Sequence, residues 1–453
     1  MRKFFLLCLI IFSTTLIAQK KIINPIISGP MIGHVELRTA GIWVEFSSEV
    51  ETAELSYKRT STNKTTPILL DFVFEPGSNI GRITLTALEP GTTYSYSVLV
   101  NKKIFSSGEI TTQQLWQYRK PAPDFSFLTG SCAYFNQPEY DRPGKPYGSD
   151  SMIFEAMAKE KADFMLWLGD NWYTREVDYF SEWGLHYRAS KDRATKVLQP
   201  FLKAMPHYAI WDDHDYGWNN ADKSYPLKNA SRDVFMKYWS NPSYGENDEG
   251  IYTKMTWNDV DVFMLDSRWF RSNDLMKDSV DDKPNPEKRM FGVKQMDWLK
   301  NALLQSKYNS NISFRFIATG SQVLNPYAGK DCLKDYPIEY NELINFITEN
   351  NINGIIFLTG DRHHSEIIKL ERNGTYPLYD ITASSLTAGI SKTSGEEINN
   401  PHRVSPEIQQ HNYARIAISG DKLDRKLTVE FLDINGKKIT SWSVPLKDVS
   451  GKK

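Results

Sequence analysis

Four short segments, far apart in the chain, each set metal-ligand or acid–base side chains directly behind an apolar run. They are Gly130-Ser131-Cys132, Gly169-Asp170-Asn171-Trp172-Tyr173, Trp211-Asp212-Asp213-His214-Asp215 and Gly360-Asp361-Arg362-His363-His364. A buried strand that ends in a turn and a polar cluster is how an α/β sheet presents reactive groups along one edge. The four together call for strands whose ends meet, and they suggest one shared metal site.

The rest of the chain supplies the strands and helices such a sheet needs. Apolar runs at Phe125–Leu128, Phe164–Leu168, Tyr208–Trp211, Val262–Leu265, Phe314–Ile317 and Ile355–Leu358 read as strands. Helical patterns at Met152–Lys159, Ala194–Lys203, Val293–Gln305 and Tyr340–Asn350 lie between them, which is the alternation of a layered α/β domain. The chain ends in two strands, Leu427–Phe431 and Lys438–Val444, joined across the Asn435-Gly436 turn signal. This gives a domain over 122–450. The stretch Trp218–Tyr244, rich in Asn, Tyr and Trp, reads as a loop over the pocket, its aromatics either stacking on substrate or packing in the core, and Trp172 as a bulky group at the rim.

Residues 24–115 differ in pattern. Ile42, Val44 and Phe46 alternate with Trp43 and Glu45, and Tyr94, Tyr96 and Val98 alternate with small polar residues, the period of half-buried strands. Leu88-Glu89-Pro90-Gly91-Thr92-Thr93-Tyr94 resembles the strand entry of fibronectin type III domains, so a small all-β fibronectin III/Ig-like domain is expected. No polar cluster in it suggests chemistry.

With 453 residues the chain is long for one domain, and its 54 Lys plus Arg against 55 Asp plus Glu leave a net charge of −1. That balance supplies no basic field, so no specific nucleic-acid partner is expected. Met1-Arg2-Lys3 followed by the apolar Phe4–Phe12 and a small residue at Ala18 reads as a signal peptide over 1–18, too short to span a membrane. The expected location is periplasmic or extracellular. The mature chain would keep Cys132 and Cys332, which export permits to pair. Cys132 at a strand end could equally offer its thiolate to a metal.

A two-metal hydrolytic site needs one bridging carboxylate, further ligands on each ion, and open positions for water and substrate. Asp170 is placed to bridge. Tyr173 follows three residues later, and phenolate and thiolate are strong donors to ferric iron. Asp213 and Asp361 are hard oxygen donors suited to calcium, magnesium or manganese, and His363 suits iron or zinc. His214 adjoins Asp213 and could aim a ring nitrogen at a substrate oxygen.

The ordered set resembles the alkaline phosphatase D family, secreted phosphodiesterase–phosphomonoesterases. The matching motifs are GSC at Gly130–Cys132, GDxxY at Gly169–Tyr173, WDDH at Trp211–His214 with Asn219-Asn220, LDxR at Leu265–Arg268, GDxH at Gly360–His363, and an SSLT-like stretch at Ser384–Thr387. The resemblance implies a calcineurin-like metallophosphoesterase sandwich, with β-sheets flanked by helices. It implies Fe3+ held by Cys132, Asp170, Tyr173 and His363, and Ca2+ held by Asp170, Asp213 and Asp361, with Mn2+ and Zn2+ as the alternative ions. Asp170 and His214 would be the catalytic residues. Asn220, with Asn219 as the other register, and His214 would contact phosphate. Arg268 is grouped with them, more as a brace than as a substrate contact. The expected function is a monomeric exported phosphoric ester hydrolase acting on small-molecule or lipid phosphate esters. The rival readings are a phospholipase D-like phosphodiesterase on lipid head groups and a non-catalytic secreted binding protein.

Overall fold

A computed structural model of the protein describes residues 24–61, 66–329, 331–422 and 424–451. The expected signal peptide over 1–18 lies outside the described residues.

Two six-stranded mixed sheets position the site. One runs His207–Ile210, Phe164–Leu168, Phe125–Gly130, Asn412–Ser419, Lys426–Asp433, Lys438–Pro445. Its first three strands are parallel and in close register, Leu166 facing both Thr129 and Tyr208. The other runs Thr253–Trp257, Val260–Met264, Phe314–Thr319, Ile355–Thr359, Leu378–Thr382, Glu366–Leu370, with four consecutive parallel strands in the middle. Such strands are buried on both faces and so read as unbroken apolar runs. Phe164–Leu168, Phe314–Thr319 and Ile355–Thr359 are buried at every position. The sheets pack through their aromatic faces, Phe127 meeting Phe316 edge-on with ring centroids 5.4 Å apart.

At one end the two sheets close on each other, and two glycines permit it. A Cβ on Gly360 would lie 2.6 Å from the Leu168 carbonyl oxygen, and one on Gly320 would lie 2.4 Å from Cγ of Asp212. No larger residue fits where strand ends of one sheet touch those of the other.

The N-terminal region is all-β, as its alternating pattern predicts. Two four-stranded antiparallel sheets run from Ile26 to Thr111, and Thr93–Val100 alternates half-buried and buried along its whole length. It packs firmly on the α/β part. The Trp43 indole N–H donates to the Lys237 carbonyl at 2.8 Å. The Arg193 guanidinium stacks 3.9 Å from the Trp239 ring and 5.7 Å from Trp43.

Four sequence expectations need correction. The helix expected at Ala194–Lys203 is the shorter Leu198–Ala204, and an unanticipated helix precedes it, Glu182–Arg193, capped by the Ser181 hydroxyl, which accepts from the Gly184 N–H. The expected helix Met152–Lys159 shrinks to Ile153–Met157. The stretch Trp218–Tyr244 is not one loop, because Lys228–Tyr238 is helical and buries Val234, Phe235 and Tyr238. Trp172 is not at a rim: it is buried and stacks on Trp239, centroids 6.4 Å apart and planes 12° from parallel. Cys132 and Cys332 are both free and buried.

Candidate metal centre

The site forms where the strand ends of the two sheets meet. Cys132 follows Phe125–Gly130, Asp170 and Tyr173 follow Phe164–Leu168, Asp213 and His214 follow His207–Ile210, and Asp361 and His363 follow Ile355–Thr359. Cys132, Asp170, Asp361, His363 and Asn220 all have left-handed backbone, with φ of 62°, 50°, 64°, 57° and 57°. Non-glycine residues occupy that region at a cost and cluster where a site over-determines the chain. Here the strained turns aim side chains from four strands inward.

The first group is buried except for His363, which is half-buried. The Tyr173 hydroxyl donates to Oδ2 of Asp170 at 3.0 Å and lies 3.2 Å from Nε2 of His363. The Cys132 thiol is 3.6 Å from the same Asp170 oxygen, and the Ser384 hydroxyl donates to its sulfur at 3.2 Å. One donor atom each from Cys132, Asp170 and His363 lies within 4.8 Å of the others. The second group shares Asp170: donor atoms of Asp170, Asp213 and His214 are likewise mutually within 4.8 Å. Asp213 opens the short helix Asp213–Tyr216 and accepts from the Asn220 N–H at 2.6 Å. The His214 N–H donates to Oδ1 of Asp170 at 3.2 Å. The two oxygens of Asp170 thus have different partners, Oδ2 the Tyr173 and Cys132 side chains and Oδ1 the His214 backbone N–H.

Electrostatics points to missing positive charge. Burial, reinforced by Asp213 and Cys132, pushes the Asp170 carboxyl well above its usual range. Burial and the neighbouring Asp331, Asp212 and Asp213 do the same to Asp361. Burial pushes Cys132 to about 12, and burial together with Asp170 raises Tyr173 well above the ordinary phenol range. Burial lowers His214, so its ring is held neutral. Acids crowded in low dielectric either keep their protons or take a cation. Oδ1 of Asp213 and Nδ1 of His214 are buried with no hydrogen-bond partner, although buried polar atoms normally have one. Thiolate, phenolate, imidazole and carboxylate oxygens are the donors a harder and a softer ion would need side by side.

A cavity of about 730 Å³ opens on Asp170, Asp213, His214, Asp361 and His363. Asn219 and Asn220, both exposed, also line it. Arg268 does not: it is fully buried, its Nε donates to Oδ1 of Asp212, and its Nη2 reaches Oδ2 of Asp331 at 3.4 Å. It braces the acid cluster and touches no open space. His364 lies at the cavity floor, 3.5 Å from Glu366. With Glu366 and Glu397 it forms a further cluster of possible donors, but Arg403 and Arg362 already neutralise those carboxylates.

Sequence reasoning missed several parts of the site. Tyr147 reaches over it, with its hydroxyl 3.2 Å from Nδ1 of His363 and its ring 5.0 Å from Tyr134. Asp331 adds a cavity-facing acid, and Ser384 a donor to Cys132. Tyr147 and Asp331 come from loops with no motif around them. Ser384 lay within a noted motif that gave no reason to expect a bond to sulfur.

Comparison with known proteins places this arrangement. The PhoD-like phosphatase family matches residues 127–427. A domain family of unknown function, DUF7800, matches residues 24–110. Alkaline phosphatase D of Bacillus subtilis (strain 168) is 26% identical over 317 residues, 61% of this chain and 52% of that protein, so this chain spans about half the length of that curated relative. The solved structure of PhoD superimposes with a TM-score of 0.77 at 17% identity, over 96% of this chain and 94% of that one. A purple acid phosphatase from yellow lupin (Lupinus luteus) seeds superimposes with a TM-score of 0.68 at 11% identity, over 94% and 76%.

Proposed function

The chain belongs to the PhoD-like phosphatase family, and we infer that it is a phosphoric ester hydrolase that acts on small-molecule or lipid phosphate esters with two metal ions sharing Asp170. The observation that carries this reading is the place of Asp170 in both donor groups. Cys132, Asp170, Tyr173 and His363 would hold the softer ion, iron by the family resemblance. Asp170, Asp213 and Asp361 would hold the harder one, calcium, and manganese and zinc are the alternative ions for the pair. Bound there, the ions would supply Lewis acidity that activates water and neutralises charge developing on the phosphoryl oxygens.

The chain's own residues do the rest. Oδ1 of Asp213, left without a hydrogen-bond partner, would be free to hold the ion, while the Asn220 N–H holds its other oxygen in place. His214 lies on the cavity wall with a neutral ring, so it can offer one N–H to the ester's leaving oxygen. Its backbone N–H meanwhile fixes Asp170. Asn219 and Asn220 are placed to hydrogen-bond phosphoryl oxygens across the open side. Arg268 is a positioning residue, acting through Asp212. The signal peptide over 1–18, a periplasmic or extracellular location, the calcineurin-like sandwich and the fibronectin III/Ig-like assignment of the N-terminal region belong to the same reading. The test is initial rates on a monoester and a bis-ester for the wild type and Asp170→Asn. Turnover of either ester that Asp170→Asn abolishes supports the reading, and wild-type rates in metal-depleted Asp170→Asn would sink it.

A further inference from the structure

The cavity extends well beyond the carboxylates, and its outer wall differs in chemistry from its floor. Trp218 and Leu275 line it. Trp218 is built into the turn that carries Asp213. The Gly217 N–H donates to the Asp213 carbonyl at 2.7 Å, the Asn220 N–H to the Asp213 carboxylate at 2.6 Å, and the Ala221 N–H to the Trp218 carbonyl at 2.9 Å. The indole is braced from behind. Tyr225 meets it edge-on with centroids 4.7 Å apart, Tyr179 lies at 6.1 Å, and the Tyr225 hydroxyl donates to the Tyr179 carbonyl at 2.6 Å. Its place relative to the phosphoryl site is therefore fixed by the fold.

Outside Trp218 the apolar surface continues. The Phe180 ring lies 6.3 Å from Trp218 and is 73% exposed. Leu275 is 77% exposed, on a loop tied to the same region by Asn273, whose side-chain amide donates to Asp222 at 2.6 Å. Trp183, 76% exposed, lies in the first turn of the helix Glu182–Arg193 that follows Phe180. Single exposed apolar residues are ordinary, but several gathered at the mouth of a polar cavity mark a binding surface.

We propose that Trp218, Phe180 and Leu275 form a leaving-group subsite, which selects phosphoric esters whose alcohol carries an extended apolar part. The inference rests on the hydrolase reading above. With the phosphoryl group at Asp170 and Asp213, the ester's alcohol side extends along Trp218 and out past Phe180 and Leu275. Each methylene it buries there favours binding by about fourfold.

The experiment compares kcat/KM for ethyl, octyl and 2-phenylethyl phosphate. All three leave as simple primary alcohols, so differences report binding of the alcohol and not its acidity. The wild type should favour octyl or 2-phenylethyl over ethyl phosphate by at least about tenfold. Octyl ahead assigns an aliphatic ligand, 2-phenylethyl ahead a flat aromatic one, and either supports the subsite. The preference should collapse in the Phe180→Ala/Leu275→Ala double variant, whose two positions are too exposed to disturb folding. Equal kcat/KM for the three esters, or a preference that survives the double variant, would overturn the subsite while leaving the hydrolase reading intact. No turnover of any of the three would overturn the subsite, and the hydrolase reading falls with it only if the bis-ester is left intact as well.

Discussion

The hydroxyl of Tyr173 donates to Oδ2 of Asp170 across 3.0 Å, joining two residues of one strand-end turn at the centre of the site. The same Tyr173 oxygen lies 3.2 Å from Nε2 of His363, which comes from the other sheet. Three side chains from two sheets therefore converge on one point, where ionised Asp170 and Tyr173 would repel each other. The account turns on what sits among them.

Asp170→Asn keeps the shape of the side chain and removes its charge from both donor groups. Turnover should fall by a factor on the order of 10³ or more, since transition-state charge loses its main electrostatic partner. The variant should also bind less metal per chain than the wild type, as measured by elemental analysis, while its circular dichroism is unchanged.

Chelation should lower the melting temperature, and more so as pH rises. Asp170 and Asp361 are held well above the usual carboxylate range by burial and like charge, and burial pushes Asp215 to about 8. The metal-free folded state therefore holds protons that the unfolded chain releases above pH ~4, so its stability falls as pH climbs through that window. Metal binding needs the deprotonated ligands and strengthens in the same direction. Melting curves with and without chelator between pH 5 and pH 8 should diverge, and a gap that narrows with pH would contradict the assignment.

Arg268→Met should cost about 3–5 kcal/mol, because it leaves Asp212 buried without its cation, while Asp331 keeps Arg271. The urea midpoint reads this directly. Since Arg268 touches no open space, KM should change less than kcat.

How much of this was legible in the sequence follows from where each donor sits. Cys132, Asp170, Asp213 and Asp361 each close an apolar strand within a few residues, so a local pattern betrays them. Tyr147 and Asp331 arrive on long loops, and only the packed sheets bring them to the site. The helix Lys228–Tyr238 lacks a side-chain cap, and its aromatic content hid its period. Trp172 was misplaced because neighbours in sequence to a ligand look like rim residues. The turn after Asp170 instead sends the indole into the core against Trp239. Left-handed backbone at His363 and Asn220 has no sequence signature of the kind glycine provides.

Acid should destabilise the protein through His207. Its Nδ1 accepts from the Trp167 indole N–H at 3.1 Å and its Nε2 lies 3.0 Å from the Phe201 carbonyl, so the buried ring is built to be neutral. Burial lowers its pKa to about 3. The unfolded chain then binds the proton first, and stability is lost as pH falls from about 6.5 towards 3, by up to roughly 1.4 kcal/mol per pH unit. His207→Gln should flatten that part of the stability profile, measured by urea unfolding between pH 4 and pH 7.

The central claim is that Tyr173 and Asp170 share an ion, and the most direct test is a visible spectrum with elemental analysis of the purified protein and of Tyr173→Phe. The account predicts iron near one per chain with a second metal alongside, and a phenolate-to-iron absorption band that vanishes in Tyr173→Phe. A fully active protein without metal, or a band unchanged by Tyr173→Phe, would contradict it.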